Sequence, residues 1–199
     1  MKTTPLPELT PVLKQLRLSG ILDSLDSRNR EAIKNKLSYP EFLALIIQDE
    51  AGRREQKKYG MRLRRAGFRG DKTLEGFDFD FNPGINQQLI TDLAQCRFIE
   101  EKVAVLIAGP CGTGKSHIAK TVAHAAIETG YKVVYREAHT FFEDLFEASE
   151  LKRKKKVNKL FAEADLLVID DLFLRKKMPE QAADDLLDII LDRYSARRS

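Results

Sequence analysis

Gly109-Pro110-Cys111-Gly112-Thr113-Gly114-Lys115-Ser116 reads G-x-x-x-x-G-K-[ST], the spacing of a phosphate-binding loop. Ahead of it, Val103-Ala104-Val105-Leu106-Ile107-Ala108 has the length and β-branching of a buried strand. Behind it, Ile118, Ala119, Val122, Ala123 and Ala126 recur at helical spacing, and Gly130 supplies a stop. A glycine turn that binds nothing needs neither flank; a phosphate cradle needs both. The glycines let backbone N–H groups turn inward around the phosphates, and the helix N-terminus adds its positive dipole end. Lys115 is placed to reach the β- and γ-phosphates, and the Ser116 hydroxyl to ligate Mg²⁺. The candidate nucleotide-contacting set is therefore Gly109, Pro110, Cys111, Gly112, Thr113, Gly114, Lys115 and Ser116, with the adjoining His117. The His117 ring, like that of His124, also reads as a structural side chain of the loop helix.

A second signal lies downstream. Tyr131-Lys132-Val133-Val134-Tyr135-Arg136 reads as a strand, and a helix carrying Phe141, Phe142, Leu145 and Phe146 follows. Then Leu166-Leu167-Val168-Ile169-Asp170-Asp171 runs four apolar residues into two carboxylates, a Walker B pattern. Asp170, at the strand tip, is placed to hold Mg²⁺ through water. Asp171 stands where a carboxylate can orient and deprotonate an attacking water, so Asp171 and Lys115 are the candidate catalytic residues. A last helix is predicted from Pro179 to Ala196, burying Ala183, Leu186, Leu187, Ile190 and Leu191.

Composition places the chain among ordinary globular proteins: 199 residues, 43% hydrophobic and 32% charged, suit one α/β domain with a small appendage. Cys96 and Cys111 fit neither a disulfide framework nor a zinc cluster, and a reducing cytoplasm is the expected compartment. The three histidines give no metal pattern. Met1 to Pro11 has no apolar core, so no signal peptide is expected. No apolar run approaches the roughly 20 residues of a membrane span.

The net charge of +4 conceals an asymmetry. Residues 1–52 carry seven basic and seven acidic side chains, and residues 71–199 carry 19 basic and 22 acidic. Residues 53–70 carry eight basic against Glu55, so the positive excess sits in that stretch. The composition shift after Gly70 marks the expected boundary between a helical module, 1–70, and an α/β core, 71–199. In the module, Thr10-Pro11 looks like a helix start, Ser19-Gly20 a break, and Ile21 to about Leu37 a second helix. Ser38-Tyr39-Pro40-Glu41 is a capping box opening a helix with Phe42, Leu45, Ile46 and Asp49 on one face. That helix carries Arg53, Arg54, Lys57, Lys58, Arg62, Arg64 and Arg65, with Glu55 as the nearby acid. Arg54, Lys58, Arg62 and Arg65 follow at spacings of four, four and three, which puts four cations on one stripe. A solvated face is the plain reading of such a stripe. A nucleic-acid interface explains it better, because unneutralised like charges destabilise a helix. The run Lys152-Arg153-Lys154-Lys155-Lys156 follows several acids and reads as solvated surface, with a secondary nucleic-acid loop as the alternative.

Between module and loop, Phe77, Phe79 and Phe81 alternate with acids in an extended connector. They read as core packing, with Phe77 or Phe79 against a nucleotide base as the alternative. A helix is predicted over 85–98 with Leu89, Ile90, Leu93 and Ala94 inward.

Taken together, the Gly109–Ser116 loop running into His117-Ile118-Ala119, the Leu167–Asp171 strand, the Glu50-Ala51-Gly52-Arg53-Arg54-Glu55 stretch leading to Ala66-Gly67-Phe68, and Phe77-Asp78-Phe79 resemble IstB-type transposase helper ATPases. These are AAA+ relatives of the bacterial helicase loader DnaC. The resemblance covers nearly the whole chain from about Leu9. It implies a P-loop AAA+ core, three-layered around a parallel sheet and preceded by an all-α module. It also implies ATP and Mg²⁺ as ligands, double-stranded DNA and a transposase as partners, and a homo-oligomer on DNA. Gly109, Gly114, Lys115, Ser116, Asp170 and Asp171 carry over as Walker residues; Asp171 departs from the Asp-Glu pair common in AAA+ proteins. The family's domain continues past the last predicted helix into a sensor strand, an arginine finger and a helical subdomain. The expectation is therefore a core incomplete at its C-terminus, with open strand edges and ATP bound better than hydrolysed. A DnaC-like helicase loader, and a nucleotide-gated DNA-binding module without turnover, are the alternative functions; a small-molecule kinase would leave the basic helix idle.

Overall fold

The computed structural model describes residues 9–67, 73–74, 76–80, 82, 84–172, 180–196 and 198, with side chains from 183 onward in the last helix. They fall into two units, Met1–Gly60 and Met61–Ser199.

The first unit contains α1 (Leu9–Gln15), α2 (Ser19–Asn35) and the larger part of α3 (Tyr39–Ala66). Helix α1 begins one residue ahead of the predicted Thr10 cap. Ser19-Gly20 does not break a helix but opens α2. The reason is a close approach: a Cβ on Gly20 would stand 2.7 Å from the Cα of Glu50 on α3. That proximity lets one Glu50 carboxylate oxygen accept the Gly20 N–H at 2.6 Å and the Ile21 N–H at 3.3 Å. Two of the four amides left unpaired at a helix start are thereby satisfied. The predicted capping box is present in a variant form: Glu41 Oε2 accepts from both the N–H and the hydroxyl of Ser38, each at 2.7 Å. Along α3, Ile46 is buried and Phe42, Leu45 and Asp49 are half-buried, as the sequence pattern requires.

In the second unit the predicted helix over 85–98 divides into α4 (Gln87–Ala94) and α5 (Arg97–Glu100). Cys96 takes a left-handed conformation (φ 62°) that no helix interior accepts. Asn86 caps α4 by accepting the Leu89 N–H at 3.1 Å, and Ile90 is buried. Leu89 instead faces solvent. Among its described residues the connector forms no strand, yet Phe77 is buried and Phe79 half-buried, their rings 4.7 Å apart. Phe81 lies outside the described residues. With Ile90, Ile118 and Val122 the two phenylalanines build a small core, so packing is their established part.

After α6 (Lys115–Thr129), which Gly130 ends in a left-handed cap as predicted, come β1 (Val133–Glu137), α7 (Ala138–Glu150), α8 (Lys154–Glu163), β2 (Leu166–Asp170) and α9 (Glu180–Ser195). Strands β1 and β2 pair in parallel, with Val133 opposite Leu166 and Glu137 opposite Asp170. The α7–α8 crossover covers the sheet with a core of Val134, Phe141, Leu145, Phe161 and Ile189. The stretch Val103–Ala108, expected as a buried strand, pairs with no described strand and is exposed except at Ile107. An apolar run becomes a strand only when a neighbour takes its backbone groups, and none of the described strands pairs with it. Helix α9 also turns differently from the prediction. Ile189, Asp185 and Arg193 are buried and Leu186 partly so, whereas Ala183, Leu187, Ile190 and Leu191 are exposed. Pro179, the predicted start, lies outside the described residues. The Arg193 guanidinium decides the rotation by donating to Phe161 O at 2.7 Å and Ala164 O at 2.8 Å, at the end of α8.

Candidate functional site

Gly112 and Gly114 have φ values of 79° and 92°, left-handed geometry that suits glycine, and Gly114 is the N-cap of α6. Those two positions turn the loop so that Lys115 and Ser116 open the helix. Within the loop, Pro110 O accepts from the Thr113 hydroxyl at 2.9 Å and from Lys115 Nζ at 2.6 Å. The connector reaches the same loop: Asn82 Nδ2 donates to Thr113 O at 3.3 Å. Sequence reading gave Asn82 no role, and nothing in its local pattern signals one.

Fifty-four positions separate Ser116 from Asp170, but Ser116 Oγ donates to Asp170 Oδ1 at 3.1 Å. The β2 strand delivers its last residue to the first turn of α6, so the two predicted Mg²⁺ ligands share one point. Asp170 is 9% exposed and accepts two further donors: the Asp171 N–H on Oδ1 at 3.0 Å, and the Tyr135 hydroxyl on Oδ2. Burial, then the bond to Asp170, pushes the Tyr135 phenol far above its ordinary range. Asp171, the candidate water-orienting residue, is exposed and takes a left-handed φ of 56° just past the strand. A hydroxyl and a carboxylate oxygen are hard oxygen donors that suit Mg²⁺. Among the described residues no cluster of three or more His, Cys, Asp and Glu could hold a metal unaided.

His117 follows Ser116 in the first turn of α6. Its ring packs on Phe77 with centroids 4.7 Å apart. Together with Phe77, Asp78, Ile85 and Gly114 it lines a cavity of about 210 Å³ next to the phosphate loop. A larger cleft of about 770 Å³ lies between α8 and α9, lined by Lys154, Lys155, Lys159 and Arg198 alongside Glu163 and Asp192. Lys154 of the basic run pairs with Asp185 at 2.5 Å, and Lys159 beyond it with Glu163 at 3.6 Å.

The basic stretch of α3 is less bare than its sequence suggests. Arg53 pairs with Asp23, Arg54 Nε with Glu50 Oε1 at 2.7 Å, and Lys58 with Glu55 at 2.9 Å. The expectation of Glu55 as the one acid at hand is corrected: Glu50 sits one turn away and Asp23 arrives from α2. Lys57, Arg64 and Arg65 are exposed, and among the described residues they enter no ion pair. Arg62 is half-buried. Among the described residues no helix is long and apolar enough to cross a membrane.

Residues 11–199 match the family described as IstB-like ATP binding protein. An insertion-sequence protein of Mycobacterium tuberculosis, named for ATP binding, is 34% identical over 187 residues, covering 94% of this chain and 74% of the relative. An IS21 protein of Pseudomonas aeruginosa with a similar name is 31% identical over 165 residues, covering 83% of this chain and 62% of the relative. An IS21-like protein of Bacteroides fragilis is 31% identical over 180 residues, covering 90% and 89%. Among solved structures, AMPPCP-bound DnaA from Aquifex aeolicus superposes with a TM-score of 0.58 at 22% identity, over 67% of this chain and 41% of that one. That likeness is one of fold.

Proposed function

The chain belongs to the IstB-like ATP-binding proteins of insertion sequences, and from that premise we propose that it binds ATP with Mg²⁺ and assists DNA transposition. The observation that carries the nucleotide half is the meeting of Ser116 Oγ and Asp170 Oδ1 at 3.1 Å, at the N-terminus of α6. A hydroxyl, a carboxylate and a helix dipole converge where the β- and γ-phosphates would lie. Lys115 exchanges its bond to Pro110 O for phosphate oxygens. Ser116 and Asp170 are the residues that would hold Mg²⁺, whose positive charge would offset that of the phosphates. The cavity between Phe77 and His117 is smaller than the roughly 300–1,000 Å³ of whole small-molecule sites. It suits an end of the nucleotide such as its base. Asp171 is the residue placed to orient water for hydrolysis.

The DNA half rests on family membership and on the exposed cations of α3. Double-stranded DNA, a transposase and further copies of the chain are the partners this reading assigns, with the cytoplasm as its compartment. The test is electrophoretic mobility of duplex DNA with the full chain, with and without ATP–Mg²⁺. Higher-order complexes that need ATP are the expected result. DNA binding indifferent to nucleotide, in a chain that binds no ATP, would overturn the proposal.

A further inference from the structure

A carboxylate has two equivalent oxygens until something occupies one of them. On Asp170 the Tyr135 hydroxyl occupies Oδ2, while Oδ1 accepts from Ser116 and from the Asp171 N–H. Tyr135 sits in the middle of β1, opposite Val168 and 3% exposed. Its ring would pack as well in the form of phenylalanine. The hydroxyl adds one thing that packing does not: a directed bond to a carboxylate two residues further along the neighbouring strand. Lys120, one turn past Ser116 on α6, places its ammonium 5.4 Å from the centroid of the same ring. The ring is therefore held by groups from β2 and α6, the two elements that form the metal-binding corner.

We propose that Tyr135 is a positioning residue for Asp170: by holding Oδ2 it stops the carboxylate from rotating and keeps Oδ1 turned toward Ser116, where Mg²⁺ on the nucleotide is held. This rests on the nucleotide-binding reading above. Partners that orient a metal-ligating group commonly change metal affinity 10–100-fold when removed. The loop's direct grip on phosphates, through Lys115 and the backbone, does not pass through Asp170. Tyr135 thus acts on the Mg²⁺-dependent part of nucleotide affinity alone.

The experiment measures binding of a fluorescent ATP analogue to the full chain in Mg²⁺ and in EDTA. Tyr135→Phe is expected to keep the EDTA affinity and to lose about 10–100-fold in Mg²⁺ affinity. Asp170→Asn should lose the Mg²⁺ gain too, and adding Tyr135→Phe to it should change nothing further. Equal losses in both buffers would mean that Tyr135 merely supports the fold. An undiminished Mg²⁺ gain would mean that Asp170 orients itself. Either result overturns the inference. A wild-type chain that binds no nucleotide in either buffer overturns the nucleotide reading and this inference with it, and is recognised before any variant is made. A wild-type chain labelled with 3-fluorotyrosine covers the case in which Tyr135→Phe fails to fold. Of the five tyrosines, one ¹⁹F resonance should shift with Mg²⁺ beyond the shift caused by nucleotide alone, and none should do so in Asp170→Asn. Five resonances indifferent to Mg²⁺ would refute the role.

Discussion

Lys115 spends its charge inside its own loop, donating to Pro110 O at 2.6 Å, and among the described residues it holds no other strut. Lys115→Ala should therefore leave the melting temperature within a degree or two and lower ATP affinity at least tenfold, as read by calorimetric titration. A folded variant with unchanged affinity would remove the lysine from the phosphate site. The loop residues were legible because the motif encodes them locally: Gly112 and Gly114 at left-handed positions, Lys115 and Ser116 in the first helical turn. Asp170 was legible because four apolar residues running into two acids mark a strand tip. Tyr135 and Asn82 were not. Each acts on a partner 31 or 35 positions away, and that pairing exists only once the parallel register and the connector's path are set.

At the scale of elements, some side chains finish a helix they do not belong to. Glu50 of α3 caps α2, while Arg28 of α2 grips Asp49 through Nε and Nη2 at 2.8 and 2.7 Å. The Arg28 bonds, followed by one from Ser24, hold the Asp49 carboxyl down at about 2; the bond from Arg54 leads in depressing Glu50. With folded values below the unfolded ones, the unfolded chain takes up protons first as pH falls. Stability is thus fully present above the ordinary carboxylate range near 4, and is lost as pH drops through it toward 2. Acid unfolding followed by circular dichroism should show helix loss in that window. Asp49→Asn should lower stability at neutral pH and flatten the acid dependence. A wild-type curve that stays level down to pH 2 would contradict the linkage. A second finish is Arg193 of α9, buried against the carbonyls that end α8, its guanidinium brought down to about 10 chiefly by burial. Arg193→Met keeps the packing but strips buried acceptors, at a cost of about 1–3 kcal/mol. Urea unfolding of the full chain measures it. The Ser38–Glu41 cap was readable because both partners lie within one turn. The division at Cys96 and the rotation of α9 were not, since a left-handed residue and a buried arginine contradict the local apolar pattern.

For the whole molecule, the α/β class followed from strand–loop–helix and strand–carboxylate patterns, while the fact that Val103–Ala108 pairs with no described strand did not, because a ladder depends on a neighbour that local sequence cannot supply. Charge behaves in the same way. Counting side chains locates the positive excess in residues 53–70, but the fold decides how much of it is available to a polyanion. Arg53, Arg54 and Lys58 already face Asp23, Glu50 and Glu55, so a phosphate must compete with an acid for each. Lys57, Arg64 and Arg65 are exposed, and among the described residues no ion pair engages them. Counterion release follows phosphates newly neutralised, so these two sets should contribute unequally. Replacing Lys57, Arg64 and Arg65 by Gln should lower the log–log salt slope of duplex binding by about 0.9 per lost contact, up to ~2.7 for three. Replacing Arg53, Arg54 and Lys58 should lower it by well under that, while destabilising the first unit through the loss of the Glu50 and Asp23 pairs. The loss should be uniform across DNA sequences, since phosphates carry no base information. Fluorescence anisotropy over a salt series measures both slopes. If the paired set moved the slope more than the exposed set, the ion pairs would have to open on binding and the exposed cations would be solvated surface. If neither moved it, DNA would have to be held by another part of the chain.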